Sequence, residues 1–376
     1  MPIDLSTLAI LASLFFGAVV GDAVLFGDPL QVQITVPSKL TDSGFDEAAA
    51  ERVFASEVAR SGRAESIVKT PDVQMSSSTS VFAALAKPLH LEDVVVALQQ
   101  QVGIGVVSVR GAVVDAPAGG GLEIVIFITQ PNEAPTQVRL TQADGDAVRL
   151  VERGARQVME QISPYRVALT DFATGIRGDA AALASAETVA NRALTRGWAP
   201  NRATQQVMLH NLLGVKAAFE GQLEAAEAQF ALSDAIPQAL PAAHGVVACN
   251  RAFLAVAQRQ PALAVATFKA ALELSATVEL NGYQDRLALL GGLVAWSAGN
   301  LAAAEAWLRK ASAGLPYDDA PHAYLASLLE AKGDLAGAAA ERKIAADRAD
   351  LDLGVPSLIL SEFWVDPVHG GLKRRN

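Results

Sequence analysis

Side chains that commonly carry catalysis are few in this chain, and their spacing matches no catalytic motif. None of the five histidines belongs to an HxxxH, HExxH or HxH pattern of the kind that binds zinc. They are His90, His210, His244, His322 and His369. The single cysteine, Cys249, excludes an internal disulfide and a thiolate metal cluster. Its place between Ala248 and Asn250 in a predicted helix favours a small buried packing residue over a nucleophile.

Glycine-rich turns that could hold a phosphate also lack the usual context. Gly103-Ile104-Gly105 has no third glycine at dinucleotide-binding spacing, and the sequence contains neither a Walker A motif nor a G-x-S-x-G elbow. Gly119-Gly120-Gly121 lies between two predicted strands, so a hairpin turn explains it. Adjacent acidic residues lie near predicted helix starts, where capping explains them: Asp46-Glu47, Glu92-Asp93 and Asp318-Asp319. We therefore expect a protein that is not an enzyme and has no cofactor and no metal.

Composition limits the class of protein further. Hydrophobic residues make up 51% of the 376 residues and charged residues 19%, which excludes disorder as the main state. The formal net charge of -10 excludes nucleic acid as the main partner, because binding phosphates requires clustered lysine and arginine. Only one stretch approaches a bilayer span, so a polytopic membrane protein is excluded as well. The excess of arginine over lysine and the abundant alanine indicate a bacterial source.

That stretch, residues 5–26, contains one charged side chain, Asp22. A helix over 5–21 covers about 25 Å, and its continuation to Phe26 makes a span of the ~30 Å hydrocarbon core feasible. We expect residues 1–28 to hold a single-pass membrane anchor. A cleaved signal peptide, here without its usual basic n-region, and a buried helix are the alternatives. Because Asp22 and Asp28 rather than basic residues follow the span, we expect the rest of the chain on the periplasmic side of a bacterial inner membrane.

The pattern of residues 29–166 predicts a small α+β domain, with helices packed on an antiparallel or mixed sheet. Alternating apolar residues in 105–116 and 121–130, joined by a glycine-rich connection, form the strongest strand signal in the chain. Shorter strands are predicted at 31–37 and 136–142. Helices are predicted at 45–61, 91–103 and 147–163, and the serine-rich run 76–80 is predicted as a loop.

From residue 167 to 350 the strand signals disappear and alanine-rich helix pairs follow one another. Three segments, 219–237, 297–316 and 331–348, share a glycine, a polar residue and a leucine followed by alanines. A fourth, 259–275, fits the same scheme with Pro261 after the turn. Equivalent positions in the four segments recur at spacings of 38, 40 and 34 residues: Phe230, Phe268, Leu308 and Arg342. Self-similarity at this period predicts a helical solenoid.

These segments resemble the tetratricopeptide repeat family, whose second helix carries a small residue, a large residue four positions later and a small residue three beyond that. The matching triplets are Ala226, Phe230 and Ser233; Ala264, Phe268 and Ala271; and Ala304, Leu308 and Ala311. The first helix's Leu-Gly pair is present as Leu213-Gly214 and degenerate elsewhere. In the last unit Arg342 departs from the large apolar position, as a solvent-facing terminal repeat allows. The match covers roughly residues 205–350.

The overall order is also similar to a group of bacterial membrane-anchored proteins with these repeats. The residues behind that resemblance are the strand 31–37, Gly44-Phe45 and Pro164-Tyr165. Within the repeats, His210 and His322 occupy equivalent positions of their first helices, where the family has a large packing residue. The resemblance therefore implies packing roles for both histidines.

A helical solenoid presents a groove lined by its first helices, which suits an extended peptide or a partner's helix. The repeat alignment gives five candidate groove residues: Asn211, Asn250, Arg251, Gln284 and Tyr324. The alternative for each is a surface residue without a partner. The apolar tail, residues 351–376, is expected to cap the last repeat, and a partner-binding segment is its alternative.

The architecture predicts a membrane-anchored scaffold that binds a protein or peptide partner in the repeat groove and the membrane through residues 5–26. A different class is also open, in which the α+β domain binds a small ligand or glycan and the protein is a sensory module of the cell envelope. An enzyme of unrecognised type is the third hypothesis.

Overall fold

The computed structural model describes residues 29–61, 74–75, 107–117, 120–130, 133–196, 202–275, 283–348 and 363–374. These residues form two compact units, the first ending at Val167 and the second beginning at Ala168. The predicted anchor at 5–26, the loop at 76–80, the helix at 91–103 and the tail up to residue 362 lie outside the described residues.

The first unit contains a five-stranded mixed sheet with the order β2-β1-β3-β4-β5. Its strands are β1 (Pro29–Thr35), β2 (Gln74–Met75), β3 (Val107–Asp115), β4 (Leu122–Thr129) and β5 (Thr136–Gln142). The predicted hairpin is confirmed, because β3 and β4 pair antiparallel along their length and β5 continues antiparallel to β4. Strand β1 runs parallel to both β2 and β3.

Two longer helices cover one face of this sheet, and a short helix α1 (Ser38–Asp42) precedes them. They are α2 (Glu47–Ser61) and α3 (Ala147–Ile162), and both contact the strands. The core alternates along the strands as the sequence predicts, with Ile124 and Ile126 fully buried and Phe127 exposed. Helix α3 comes close to β4 at Gly154, where an added Cβ would lie 2.9 Å from the Ile126 side chain. These features confirm the α+β class of this part of the chain.

The second unit is a succession of antiparallel helix pairs. Helix α4 (Pro164–Gly175) crosses the boundary between the units, and α5 (Ala180–Leu194) follows it. Four pairs then follow: α6 (Ala203–Phe219) with α7 (Leu223–Asp234), α8 (Pro241–Ala257) with α9 (Pro261–Ser275), α10 (Tyr283–Ser297) with α11 (Leu301–Gly314), and α12 (Ala320–Ala331) with α13 (Leu335–Ala346). The unit ends in a two-stranded hairpin of β6 (Phe363–Val365) and β7 (Leu372–Arg374).

Equivalent contacts recur from one helix pair to another. The Phe230 ring lies against Gly214, where an added Cβ would fall 2.3 Å from the ring. Leu308 lies against Gly292 in the same way, at 2.6 Å. Small residues at these points of the first helix are therefore required by the large residues of the second helix.

The two histidines at equivalent positions also make equivalent contacts. His210 Nδ1 lies 2.9 Å from Gln229 Oε1, and His322 Nδ1 lies 2.6 Å from Glu341 Oε2. In each case the imidazole on the first helix of a pair bonds to the second helix of that pair. The histidines thus tie the two helices of a pair together.

The turn within each pair uses the left-handed backbone conformation. Gly221, Gly299 and Gly333 have φ values of 78°, 79° and 84°. The second pair has no glycine at this point, and Arg259 adopts the same conformation with a φ of 59°. Since the four residues have the spacings predicted for the repeats, the pair that departs from the sequence scheme keeps the same turn, at some cost in backbone strain.

Candidate functional site on the first helices

Buried polar contacts join the first helices of the first three pairs, α6 to α8 and α8 to α10. Asn250 Nδ2 on α8 donates a 2.7 Å hydrogen bond to Asn211 Oδ1 on α6, and both side chains are 0% exposed. The Tyr283 hydroxyl on α10 donates to the Gly245 carbonyl on α8, and burial raises the pKa of this phenol. These contacts fix the order and separation of neighbouring first helices.

The C-terminal hairpin docks on three of these helices. Strand β6 packs against α8, and β7 packs against α6. Trp364 stacks on Tyr324 of α12, with ring centroids 4.1 Å apart and an interplanar angle of 4°. We call the surface formed by Tyr324, the C-terminal end of α8 and the adjoining side of α6 the docking face.

Main-chain hydrogen bonds hold the hairpin to the docking face at two points. The Val365 N–H donates to the Tyr324 hydroxyl at 2.7 Å, and the Gly371 N–H donates to the Ala257 carbonyl at 2.7 Å. The Val365 side chain is fully buried. The second bond also satisfies a carbonyl at the end of α8, which has no partner within the helix.

The turn of the hairpin is organised by Asp366. Burial works against the carboxylate, but the N–H groups of His369 and Val368 donate to it and hold the pKa of Asp366 below its ordinary value. Gly370 and Gly371 follow with φ values of 76° and 97°. An added Cβ on Gly370 would lie 2.6 Å from Arg259 Cγ and 2.7 Å from the Ala257 carbonyl oxygen, so this glycine permits the close approach to α8.

The structure distributes the five sequence-predicted groove residues among different environments. Asn211 and Asn250 are buried against each other between α6 and α8. Arg251 forms ion pairs with Glu227 and Asp234, which join α8 to α7. Gln284 is exposed near the start of α10. Tyr324 lies under the hairpin and is 2% exposed.

No sequence pattern identifies the residues that contact Tyr324. Trp364 and Val365 belong to the apolar tail, for which the sequence predicts a cap. The run Asp366-Pro367-Val368-His369-Gly370-Gly371 contains the residues that favour a tight turn between two short strands, and it is the local signal for the hairpin. Nothing local to the tail indicates which helices the hairpin contacts.

Cys249 is buried, so thiol reagents cannot reach it and we expect its thiol to be unreactive in the folded chain. Cys249 is 0% exposed in α8, and burial raises its pKa to about 12. Ellman's reagent at mildly alkaline pH should label the native chain at least roughly a hundredfold more slowly than the denatured chain, because labelling requires opening of the helices. Since the chain has one cysteine, the denatured sample gives the endpoint of a single thiol. Equal rates in the two samples would contradict the burial.

The raised pKa of Cys249 also predicts how the stability of the fold depends on pH. Because the folded state holds the thiol proton more tightly than the unfolded state does, the protonated thiol contributes fully to the free energy of unfolding below its ordinary pKa of about 9. That contribution is lost as the pH rises from there towards about 12.

No known protein family matches the sequence, and no curated protein matches it either. Among the described residues, no helix combines the length and apolar character needed to cross a bilayer. Within the same residues, histidine, cysteine and acidic side chains form no cluster of three or more that could hold a metal ion.

Proposed function

We propose that this chain is a non-catalytic, membrane-anchored scaffold that binds a protein or peptide partner on the first helices of its repeats. The observation that carries the proposal is the docked hairpin. The docking face holds a short β-hairpin through an aromatic stack on Tyr324 and through main-chain N–H groups at Val365 and Gly371, which lie on either side of its turn. When a peptide segment is bound, main-chain hydrogen bonds commonly provide affinity and a few side-chain contacts provide specificity.

The repeats are proposed to be of the tetratricopeptide type. Support comes from the recurring contacts within pairs, where Phe230 lies on Gly214 and Leu308 lies on Gly292. Arg342, at the equivalent position of the last pair, is exposed and pairs with Glu330. A polar residue at this point is suited to the end of a repeat array, where no further helix has to be covered.

The membrane anchor is proposed to be residues 5–26, with the larger part of the chain outside the cytoplasm in the envelope of a bacterium. The support is the uncharged run in the sequence. Extraction of cell membranes at alkaline pH tests it, because an integral span stays with the lipid and a peripheral protein is released. Recovery of the chain in the supernatant would contradict the anchor.

Crosslinking in cells tests the scaffold itself. We expect a stoichiometric partner to be recovered with the full-length chain and its yield to fall severalfold in Tyr324→Ala, because the aromatic platform of the docking face is removed. Tyr317→Ala provides the matched control, since Tyr317 is 68% exposed in a loop outside the docking face. Both variants should retain the helical circular dichroism of the parent.

Two results would contradict the scaffold. One is the absence of a crosslinked partner, and the other is an equal yield from the two tyrosine variants. Either would favour the other class of function, in which the α+β domain binds a small ligand or a glycan.

A further inference from the structure

The hairpin occupies the surface on which the proposed function depends. Tyr324 is 2% exposed with Trp364 stacked on it, so no second aromatic ring can reach it in this arrangement. The Ala257 carbonyl is likewise engaged by Gly371. A partner that uses the docking face therefore has to replace the hairpin.

The hairpin depends on the docking face for its position. Each of its strands has three residues, and an isolated two-stranded hairpin is marginally stable in water. Its internal order comes from the Asp366 turn and the short β6–β7 ladder. Among the described residues, its attachment includes the Trp364 ring, the buried Val365 side chain and two main-chain donors. Each of these contacts can be exchanged for an equivalent contact from another chain.

The contacts also define the chemistry of a competing partner. Main-chain N–H groups are present in any hairpin, so they carry no sequence information. Sequence information comes from the aromatic ring that stacks on Tyr324 and from the aliphatic side chain that follows it in the buried site of Val365. A residue that tolerates a positive φ is required where the backbone approaches Arg259 and Ala257, as Gly370 does.

We propose that residues Phe363–Arg374 are a built-in competitive ligand that keeps the docking face covered until a hairpin of a partner protein, carrying an aromatic residue followed by an aliphatic one, displaces it. This inference rests on the proposed function, because it assigns a partner and a means of control to the same face. A tethered competitor acts at roughly millimolar effective concentration, so it weakens the apparent affinity for every partner that binds in trans.

Two adjacent glycines provide a matched pair of variants for the test. Gly370→Ala introduces a methyl group that collides with Arg259 and Ala257 of the repeats. Gly371→Ala places a methyl group at a similarly positive φ, but nothing lies within 4 Å of it. Both substitutions strain the turn, and only the first blocks the approach to α8. Trp364→Ala is the second undocking variant and removes the stack instead.

The probe is a fluorescent synthetic peptide with the sequence of residues 363–374, cyclised so that its hairpin is preformed, and the readout is anisotropy with the full-length protein. We expect the peptide to bind Gly370→Ala and Trp364→Ala at least about tenfold more tightly than the parent, with Gly371→Ala nearer the parent. Adding Tyr324→Ala to Gly370→Ala should abolish this increase in peptide affinity. Equal peptide affinity in the parent and both undocking variants would overturn the proposal. An increase in affinity that persists when Tyr324→Ala is added would overturn it as well.

Crosslinking in cells separates this proposal from the proposed function. An increased partner yield from Gly370→Ala over Gly371→Ala supports the hairpin as a competitor. If recovery of the partner depends on Tyr324 but is equal for the two glycine variants, the proposed scaffold function stands. The proposal that the hairpin competes with the partner is then wrong.

Discussion

Replacing Phe230 with alanine should destabilise the helical unit by about 3–5 kcal/mol, the largest effect we expect from a single substitution in the repeats. Phe230 on α7 is 0% exposed, and its ring fills the space above Gly214 on α6. Because Gly214 has no side chain, no neighbouring group on that side can extend into the space left by the ring. Chemical denaturation followed by circular dichroism measures the change as a shift of the helical unit's transition.

Arg342→Ala is the matched control, because Arg342 occupies the position of Phe230 in the last pair. Its side chain is exposed and pairs at the surface with Glu330, which is also exposed. Exposed ion pairs contribute little, so we expect a change within about 0.5 kcal/mol. Equal losses for Phe230→Ala and Arg342→Ala would contradict the burial of Phe230 and the exposure of Arg342 at the equivalent position.

A second substitution shows whether the loss arises at the contact with Gly214. In the parent, Gly214→Ala should itself be destabilising by about 1–3 kcal/mol, because its Cβ would fall 2.3 Å from the Phe230 ring. In the Phe230→Ala background the added methyl group has room, and alanine has a higher helix propensity than glycine. There Gly214→Ala should be neutral or stabilising. A Gly214→Ala effect of the same sign and size in both backgrounds would show that the two positions do not interact.

Sequence patterns predicted the features that depend on local periodicity. The β3–β4 hairpin follows from alternating apolar residues on both sides of a glycine-rich turn, which specify the pairing of adjacent segments. The helix pairs follow from small residues recurring where two helices must approach, as at Gly214 and Ala226. In both cases the residues that make the contact are close together in the chain.

Features that depend on distant residues could not be predicted in the same way. The parallel pairing of β1 with β3 places Leu30 opposite Val107, 77 residues further along the chain, and alternation in one strand does not specify its neighbour. The bond between the Val365 N–H and the Tyr324 hydroxyl spans 41 residues, and no pattern in the tail points to α12. The left-handed turn at Arg259 also could not be predicted from the sequence, because arginine does not indicate a positive φ.

The pair of asparagines shows how the candidate site changes when the packing is known. From sequence, Asn250 is one of the five candidate groove residues, and its side-chain amide could bind a peptide backbone. In the structure its amide donates to Asn211 in a place closed to water. The two interpretations predict different outcomes for the same substitution, because one concerns the partner and the other concerns the association of α6 with α8.

We expect Asn250→Ala to destabilise the helical unit by about 1–3 kcal/mol, because the buried Asn211 Oδ1 loses its donor and water cannot replace it. Replacing both residues together, as Asn211→Leu with Asn250→Leu, should recover part of that loss, since neither side of this hydrogen bond is then left without the other. Denaturation of the single and double variants gives the coupling energy between the two positions. Asn191→Ala is the control, because Asn191 is exposed on α5 and its loss should change the stability by no more than about 0.5 kcal/mol. Unchanged stability in Asn250→Ala, together with a reduced yield of crosslinked partner, would instead assign Asn250 to the binding surface and would mean that α6 and α8 can separate enough to expose it.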